Sequence, residues 1–390
     1  MVLFNPTIAT TTITTTTQTR AADASSLPDV LSVLDDLAAA GINVIRTWAF
    51  CDGHTQWSSL QPYPGILDER VATALDRVVY EIGERQMKCL LVLTNYWPDY
   101  GGMRQYVEWS KGMASIARDN DRNTEASFFY QDAHCQAMYT NFIAKIIGRI
   151  NTITHVPYVQ DPTIIGWSPA NEPQCRLHVN ANGRVIAQWA HRVASYIKQL
   201  DPNHLVFMDC EGFWKESSTA TTTQKPTNPY PCGFTGCDFV SDCSSPAIDV
   251  ACFHLYPDLW FPRTTSEERK LEFSLEWIRQ HVEVAVNVLH KPIVLSEFGK
   301  QTSSMGTVPQ PSKLSTRRVY YQRIFDEAEK HQAGAGWGWV GTMFWTAAAQ
   351  SYPNYDGFTV YLSENTIAGA GDGTAAVVRV HARKMLGGAA

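Results

Sequence analysis

Short, almost unbroken apolar runs alternate along the chain with longer stretches in which apolar residues return every three or four positions. The runs are INVIRTW (42–48), KCLLVLTN (88–95), TIIGWSPANE (163–172), LVFMDCEG (205–212), IDVACFHLY (248–256), PIVLSEFG (292–299) and GTMFWT (341–346). Continuous apolar cores of this length predict parallel strands covered on both faces. The periodic stretches, roughly 28–40, 68–86, 132–150, 183–200, 266–289, 316–331 and 374–386, predict helices. Two carry start signals: Asp68 precedes ERVATALDRVV, and Ser266 precedes EERKLEF, where Glu267 and Glu268 put acids in the first turn.

Strands and helices alternating over this length predict an α/β fold of the (β/α)8 TIM barrel type, as a single domain, over an open doubly wound sheet. Seven strands are patterned, so the missing one is the first. Only residues 2 to about 16 are available for it, where threonines tolerate β structure without a clear pattern. The expected division is therefore a Thr-rich segment 1–26 that supplies strand one, followed by the body of the barrel over 27–390. The Thr-, Pro- and Gly-rich stretch 217–247 reads as a long loop between strands five and six.

Composition narrows the classes of function. With 390 residues, 44% hydrophobic and 18% charged, the chain can bury a large core, and no apolar stretch approaches the ~18 residues of a membrane span. A formal charge of −6 without a basic block argues against a nucleic-acid partner. The 12 Trp and 16 Tyr exceed what core packing usually calls for, and flat rings that stack on sugar faces account for the excess. Of nine cysteines, Cys232, Cys237, Cys243 and Cys252 fall within 21 residues, which in a secreted protein reads as disulfides, with an odd thiol left over. The Cys-x4-Cys-x5-Cys spacing lacks paired zinc ligands, and no metal or other cofactor is expected. The opening MVLFNPTIATTTITTTTQTR has neither a basic n-region nor an unbroken apolar h-region, so it does not read as a secretory signal.

In a (β/α)8 barrel, chemistry stands at the C-terminal ends of the strands. Strand two ends in Arg46 and Trp48, and strand three in Asn95, followed by Trp97 and Tyr100. Strand four ends in Asn171 and Glu172, strand six in His254 and Tyr256, strand seven in Glu297, and strand eight in Trp345. Two carboxylates on strands four and seven face each other across such a mouth. Glycoside hydrolysis needs this pair, one to protonate the leaving oxygen and one to attack the anomeric carbon. Arg46 and Tyr256 are plausible donors to Glu297, Asn171 a holder of a sugar hydroxyl, and Trp345 the floor beneath that sugar.

ANEP, HLYP, LSEFG and FW resemble glycoside hydrolase family 5 in the order the family has them. GINVIRTWAFCDG, TNYWPDYGGMRQYVEW and IDVACFHLYPDLW are similar to the plant and fungal endo-β-1,4-mannanases of that family. The resemblance runs from about residue 29 to the last helix. It implies a retaining (β/α)8 catalytic domain, with Glu172 as acid/base and Glu297 as nucleophile. Arg46, Asn171, His254, Tyr256 and Trp345 match the remaining positions around the cleavage subsite. It also implies a mannan-type polysaccharide as substrate and an extracellular location.

One departure stands out. Many of these mannanases carry an arginine after NEP, where this chain has Gln174, which bears no charge or fork geometry and puts leaving-group-side binding in question. Trp48 and Trp97 are further sugar-platform candidates, against the plain alternative of loop packing. His54, His134 and His178 show no metal-ligand spacing and stay unassigned; Cys175 is a disulfide clip for the Glu172 loop or a free thiol. Two other functions remain: another family 5 glycanase such as an endo-β-1,4-glucanase, and a carbohydrate-binding protein impaired in catalysis.

Overall fold

Residues Ile8–Ile13 form a strand, β1, that pairs in parallel with the second strand and with the last, and so closes the sheet on itself. The computed structural model describes residues 8–13, 20–112, 125–176, 184–215, 227–303, 311–334, 338–363 and 373–387. His178, the first residue of the helix expected over 183–200, and the 217–226 part of the long loop lie outside the described residues.

The other strands are β2 (Val44–Trp48), β3 (Lys88–Val92), β4 (Ile164–Ser168), β5 (Leu205–Asp209), β6 (Val250–Leu255), β7 (Ile293–Phe298) and β8 (Trp339–Ala347), in sequential order around a closed barrel. The main helices are α1 (Leu27–Ala39), α2 (Glu69–Glu84), α3 (Gly102–Lys111), α4 (Ala133–Ile147), α5 (Val185–Leu200), α6 (Glu267–Val284), α7 (Pro311–Gly334) and α8 (Thr374–Met385). Each patterned strand and helix falls where the periodicity puts it, to within a few residues. The exception is α3, whose entry through Gly101 and Gly102 reads locally as a turn. The caps form as expected: the Asp68 carboxylate accepts the Arg70 amide at 2.9 Å, and Ser266 Oγ accepts that of Arg269 at 3.2 Å.

Two apolar layers hold the barrel. The outer one lies between strands and helices and includes Ile45, Leu91, Trp167 and Phe253. The inner one plugs the floor with Val44, Leu90, Phe207, Val250, Cys252, Val294, Val340 and Met343. Burying a side chain of the size of Phe207 or Leu90 contributes about 1.5–3 kcal/mol. Gly166 makes room for that plug: a Cβ there would meet Leu205 O at 2.4 Å and the Phe207 ring at 2.6 Å. Because side chains two apart share a strand face, the residues that follow the plug upward point to the mouth. On β2 the series is Val44, Arg46, Trp48; on β5 it is Phe207 and Asp209; from β6 onward it is Cys252, His254, Tyr256.

All nine cysteines are buried and none is joined in a disulfide, which overturns the disulfide expectation. Of the four that cluster in sequence, Cys252 packs in the barrel floor and Cys243 ends a short helix over Phe239–Cys243, beside Cys210 after β5. Among the described residues, no helix is long and apolar enough to cross a membrane.

Candidate active site

A cleft of about 880 Å³ opens at the C-terminal ends of the strands. Trp48, Trp97, Asn171, Glu172, Tyr256, Glu297 and Trp345 line it. Arg46, His254 and Gln174, also expected to bind substrate, are buried and do not line it. They stand behind the cleft wall and hold the groups that form it.

Glu297 lies in β7 with both carboxylate oxygens engaged. Oε1 accepts Arg46 Nη1–H at 2.5 Å, and Oε2 accepts the Tyr256 hydroxyl at 2.6 Å. Both donors favour the ionised carboxylate. Burial, together with the charges of Glu172 and Asp209, raises the Glu297 carboxyl above its ordinary value, while His254 and Arg46 pull it down. Burial works in the same direction on Tyr256, whose hydroxyl is held well above the ordinary phenol range and stays a donor.

Glu172 follows β4, with a left-handed backbone, φ 46°. Its amide donates to Asp209 O at 2.9 Å, which pins the turn to β5. One carboxylate oxygen accepts Trp97 Nε1–H, and the other faces His254 Nδ1 at 2.5 Å. A β-bulge between Phe253 and His254 sets His254 beside Glu297 in the ladder. One atom each of Glu172, His254 and Glu297 lies within 4.8 Å of the others. A cation could use that spacing, but the chemistry of the donors does not fit one. His254 has Nδ1 against Glu172 and Nε2 against Asp209, so neither nitrogen offers a lone pair, and the Arg46 guanidinium already supplies positive charge.

Asn171 is fixed at both ends: its carbonyl oxygen accepts Arg46 Nη2–H at 2.6 Å, and its amide donates to Asn95 Oδ1 at 3.1 Å. Trp345 is half-buried, donates from Nε1 to Asp356 Oδ2 at 2.7 Å, and lies 6.0 Å from the Trp48 ring at 36°. The Arg46 guanidinium sits 4.7 Å from the centre of the Trp48 ring. Further aromatics, Tyr230, Trp260, Tyr352 and Tyr355, extend the walls.

Gln174 donates from its amide nitrogen to the Glu211 carboxylate and accepts Arg176 Nε–H at 2.8 Å. Glu211 lines the cleft, and burial beside the Glu172 charge raises its carboxyl well above the ordinary range. The positive charge missing at 174 thus stands two residues on, at Arg176, and reaches Glu211 through a neutral amide. Arg176 in turn lies over the rings of Trp97 and Phe234, at 5.6 and 5.1 Å.

Sequence reasoning missed Asp209, Glu211 and Asp356. The first two end the run LVFMDCEG and were open to the same strand-end test that found the others. Asp356 sits in a loop without regular pattern, and nothing local marks it.

A (β/α)8 barrel with paired glutamates at the ends of β4 and β7, in an open cleft walled by tryptophan and tyrosine, defines a glycoside hydrolase of the two-carboxylate kind. The chain belongs to the GH family 5 β-mannosidase-like family, whose model matches residues 16–365. It is similar to mannan endo-1,4-β-mannosidase 3 of Arabidopsis thaliana, 33% identical over 89% of this chain and 79% of that one. Mannan endo-1,4-β-mannosidase 8 of Oryza sativa subsp. japonica is 39% identical over 72% of each chain. Among solved structures, the hyperthermostable endo-1,4-β-D-mannanase of Thermotoga petrophila superposes with a TM-score of 0.78 at 28% identity, over 97% of this chain and 99% of that one.

Proposed function

We propose that this protein is a retaining endo-β-1,4-mannanase that hydrolyses internal β-1,4-mannosidic bonds of mannan, glucomannan and galactomannan by double displacement. The observation that carries the reading is the approach of one oxygen each of Glu172 and Glu297 to within 4.8 Å, with Arg46 and Tyr256 on Glu297 and Trp97 and His254 on Glu172. Retaining enzymes hold the pair about 5–5.5 Å apart, whereas inverting ones leave about 6.5–9.5 Å for a water.

In the first step the Glu297 carboxylate attacks the anomeric carbon as the glycosidic C–O bond breaks, and Glu172 gives a proton to the departing oxygen. In the second, Glu172 takes a proton from water, and the hydroxide opens the glycosyl ester to release Glu297. Arg46 and Tyr256 keep Glu297 ionised and aimed; Asn171 offers polar contact to the reacting sugar, and Trp345, with Trp48 beside it, a face to lie on. The names of the relatives favour mannan over cellulose. A polymer of this kind is a wall polysaccharide, so we place the activity outside the cell; recovery of activity only from washed, intact-cell lysates would contradict that placement.

Glu172→Ala and Glu297→Ala should each lower turnover on mannan by about 10²–10⁴-fold or more. Near-normal activity in either variant rejects the assignment. Product analysis on manno-oligosaccharides, run beside a soluble cellulose derivative, separates mannanase from glucanase, and binding of mannan without new reducing ends would favour an impaired binding protein.

A further inference from the structure

The charges at the barrel mouth converge on a residue outside the cleft. Asp209 ends β5 and is fully buried, yet its carboxylate gathers side chains from four strands. Oδ2 accepts Arg46 Nε–H at 2.6 Å and Ser168 Oγ–H at 3.4 Å. Oδ1 accepts Ser296 Oγ–H at 2.6 Å and faces His254 Nε2 at 3.0 Å. Two of these partners hold the glutamates, Arg46 on Glu297 and His254 on Glu172.

A carboxylate only accepts, so the nitrogen that faces Asp209 carries a proton. The other imidazole nitrogen, Nδ1, then shares a second proton with Glu172. Trp97 Nε1–H occupies the remaining Glu172 oxygen, which leaves the Nδ1–Oε1 line as the place where an acid proton resides.

We propose that Asp209 is a positioning residue whose anion keeps His254 Nε2 protonated and thereby retains, between His254 and Glu172, the proton that Glu172 delivers to the leaving oxygen. The role of Glu172 as acid rests on the retaining-hydrolase reading. When the C–O bond breaks, the proton moves to the glycosidic oxygen and leaves a neutral imidazole beside a Glu172 carboxylate; deprotonation of water in the second step restores it.

The groups that face His254 fit this balance. Glu172 comes from beyond β4, Asp209 and Glu211 from β5 and the turn after it, and Glu297 from β7; Tyr256 lies on its own chain segment, and Arg46 on β2 and Ser296 on β7 act on the ring through their bonds to Asp209. Burial opposes a charged ring, but the carboxylates of Glu297, Glu172 and Asp209 outweigh it and raise His254 to about 10.

The test is a pH titration of the imidazole nitrogens by NMR on ¹⁵N-histidine protein, with the His254 signals assigned by their loss in His254→Gln. In the native chain His254 stays doubly protonated through pH 8. In Asp209→Asn it should lose the proton about 1–3 pH units lower, and the basic limb of kcat/KM should move the same way. A His254 that titrates as in the native protein, or reduced activity with an unmoved basic limb, overturns the proposal and leaves Asp209 a purely structural role. If Asp209→Asn does not fold, Ser296→Ala serves instead: it keeps the anion but removes a competing donor, so the His254 titration should move upward, and a shift downward or none overturns the proposal. The NMR readout needs no substrate. Native protein inert on mannan, with the His254 shift intact, would sink the mannanase reading alone.

Discussion

Tyr256 shows how much of the site depends on a single hydrogen. Its hydroxyl is one of two donors on Glu297, and its carbon framework packs against Phe358 with ring centres 5.4 Å apart. Tyr256→Phe keeps that packing and removes the donor. A hydrogen bond to a charged group contributes about 1.5–3 kcal/mol, so kcat should fall roughly 10- to 150-fold. Loss of the donor also makes the Glu297 anion less favourable and raises its proton affinity, so the acidic limb of kcat/KM should move to higher pH. An unchanged acidic limb would mean the hydroxyl has no electrostatic hold on Glu297. At this scale the sequence told much: Glu172, Glu297 and Trp345 stand in the cleft wall where the strand ends put them. It told less about depth. Arg46 and His254 look like ligands of a sugar because they end strands, and Gln174 because it follows NEP, yet only packing reveals that each is hidden behind the residue it supports.

At the scale of elements, strand ends carry the acids and loops carry the walls. The segment between β2 and α2 contains a carboxyl that burial raises to about 8, Asp52, against the downward pull of the Gly102 amide and of Gln61 Nε2, 2.9 Å from Oδ1. Its other oxygen, Oδ2, is buried without a partner. The sign is fixed by linkage. A carboxyl whose folded pKa lies above its unfolded value stabilises the fold while protonated, and that contribution is lost as pH rises from about 4 towards 8. Asp52→Asn, neutral at every pH, should therefore raise the melting temperature at pH 8 by several degrees and change it little at pH 4. A gain of equal size at both pH values would refute the electrostatic cause. Helical and strand periodicity made nearly every element legible because a covered parallel sheet must be apolar on both faces. The α3 helix escaped because its start rests on two glycines at positive φ, Gly101 at 92° and Gly102 at 57°, a conformation that composition reads as a loop.

At the scale of the whole molecule, β1 decides whether the sheet is a barrel. Its ladder to β8 runs from Ile8 opposite Gly341 to Ile13 opposite Ala347, and its ladder to β2 from Thr10 to Thr12. Removal of residues 1–13 leaves β2 and β8 with unpaired edges, so the truncated protein should melt earlier and scatter light on standing. Equal stability with and without the segment would show that closure contributes nothing. Strand one was legible only by elimination, since neighbours on both sides are what make a threonine run into a strand.

Glu172 itself carries a longer consequence. Its left-handed backbone is one that glycine or asparagine adopts more easily than glutamate. Either substitution would relax the backbone there and remove the carboxyl at the same time. Glutamate at this position is thus a residue that local backbone preference works against, and the proposed acid/base role supplies a reason to keep it there.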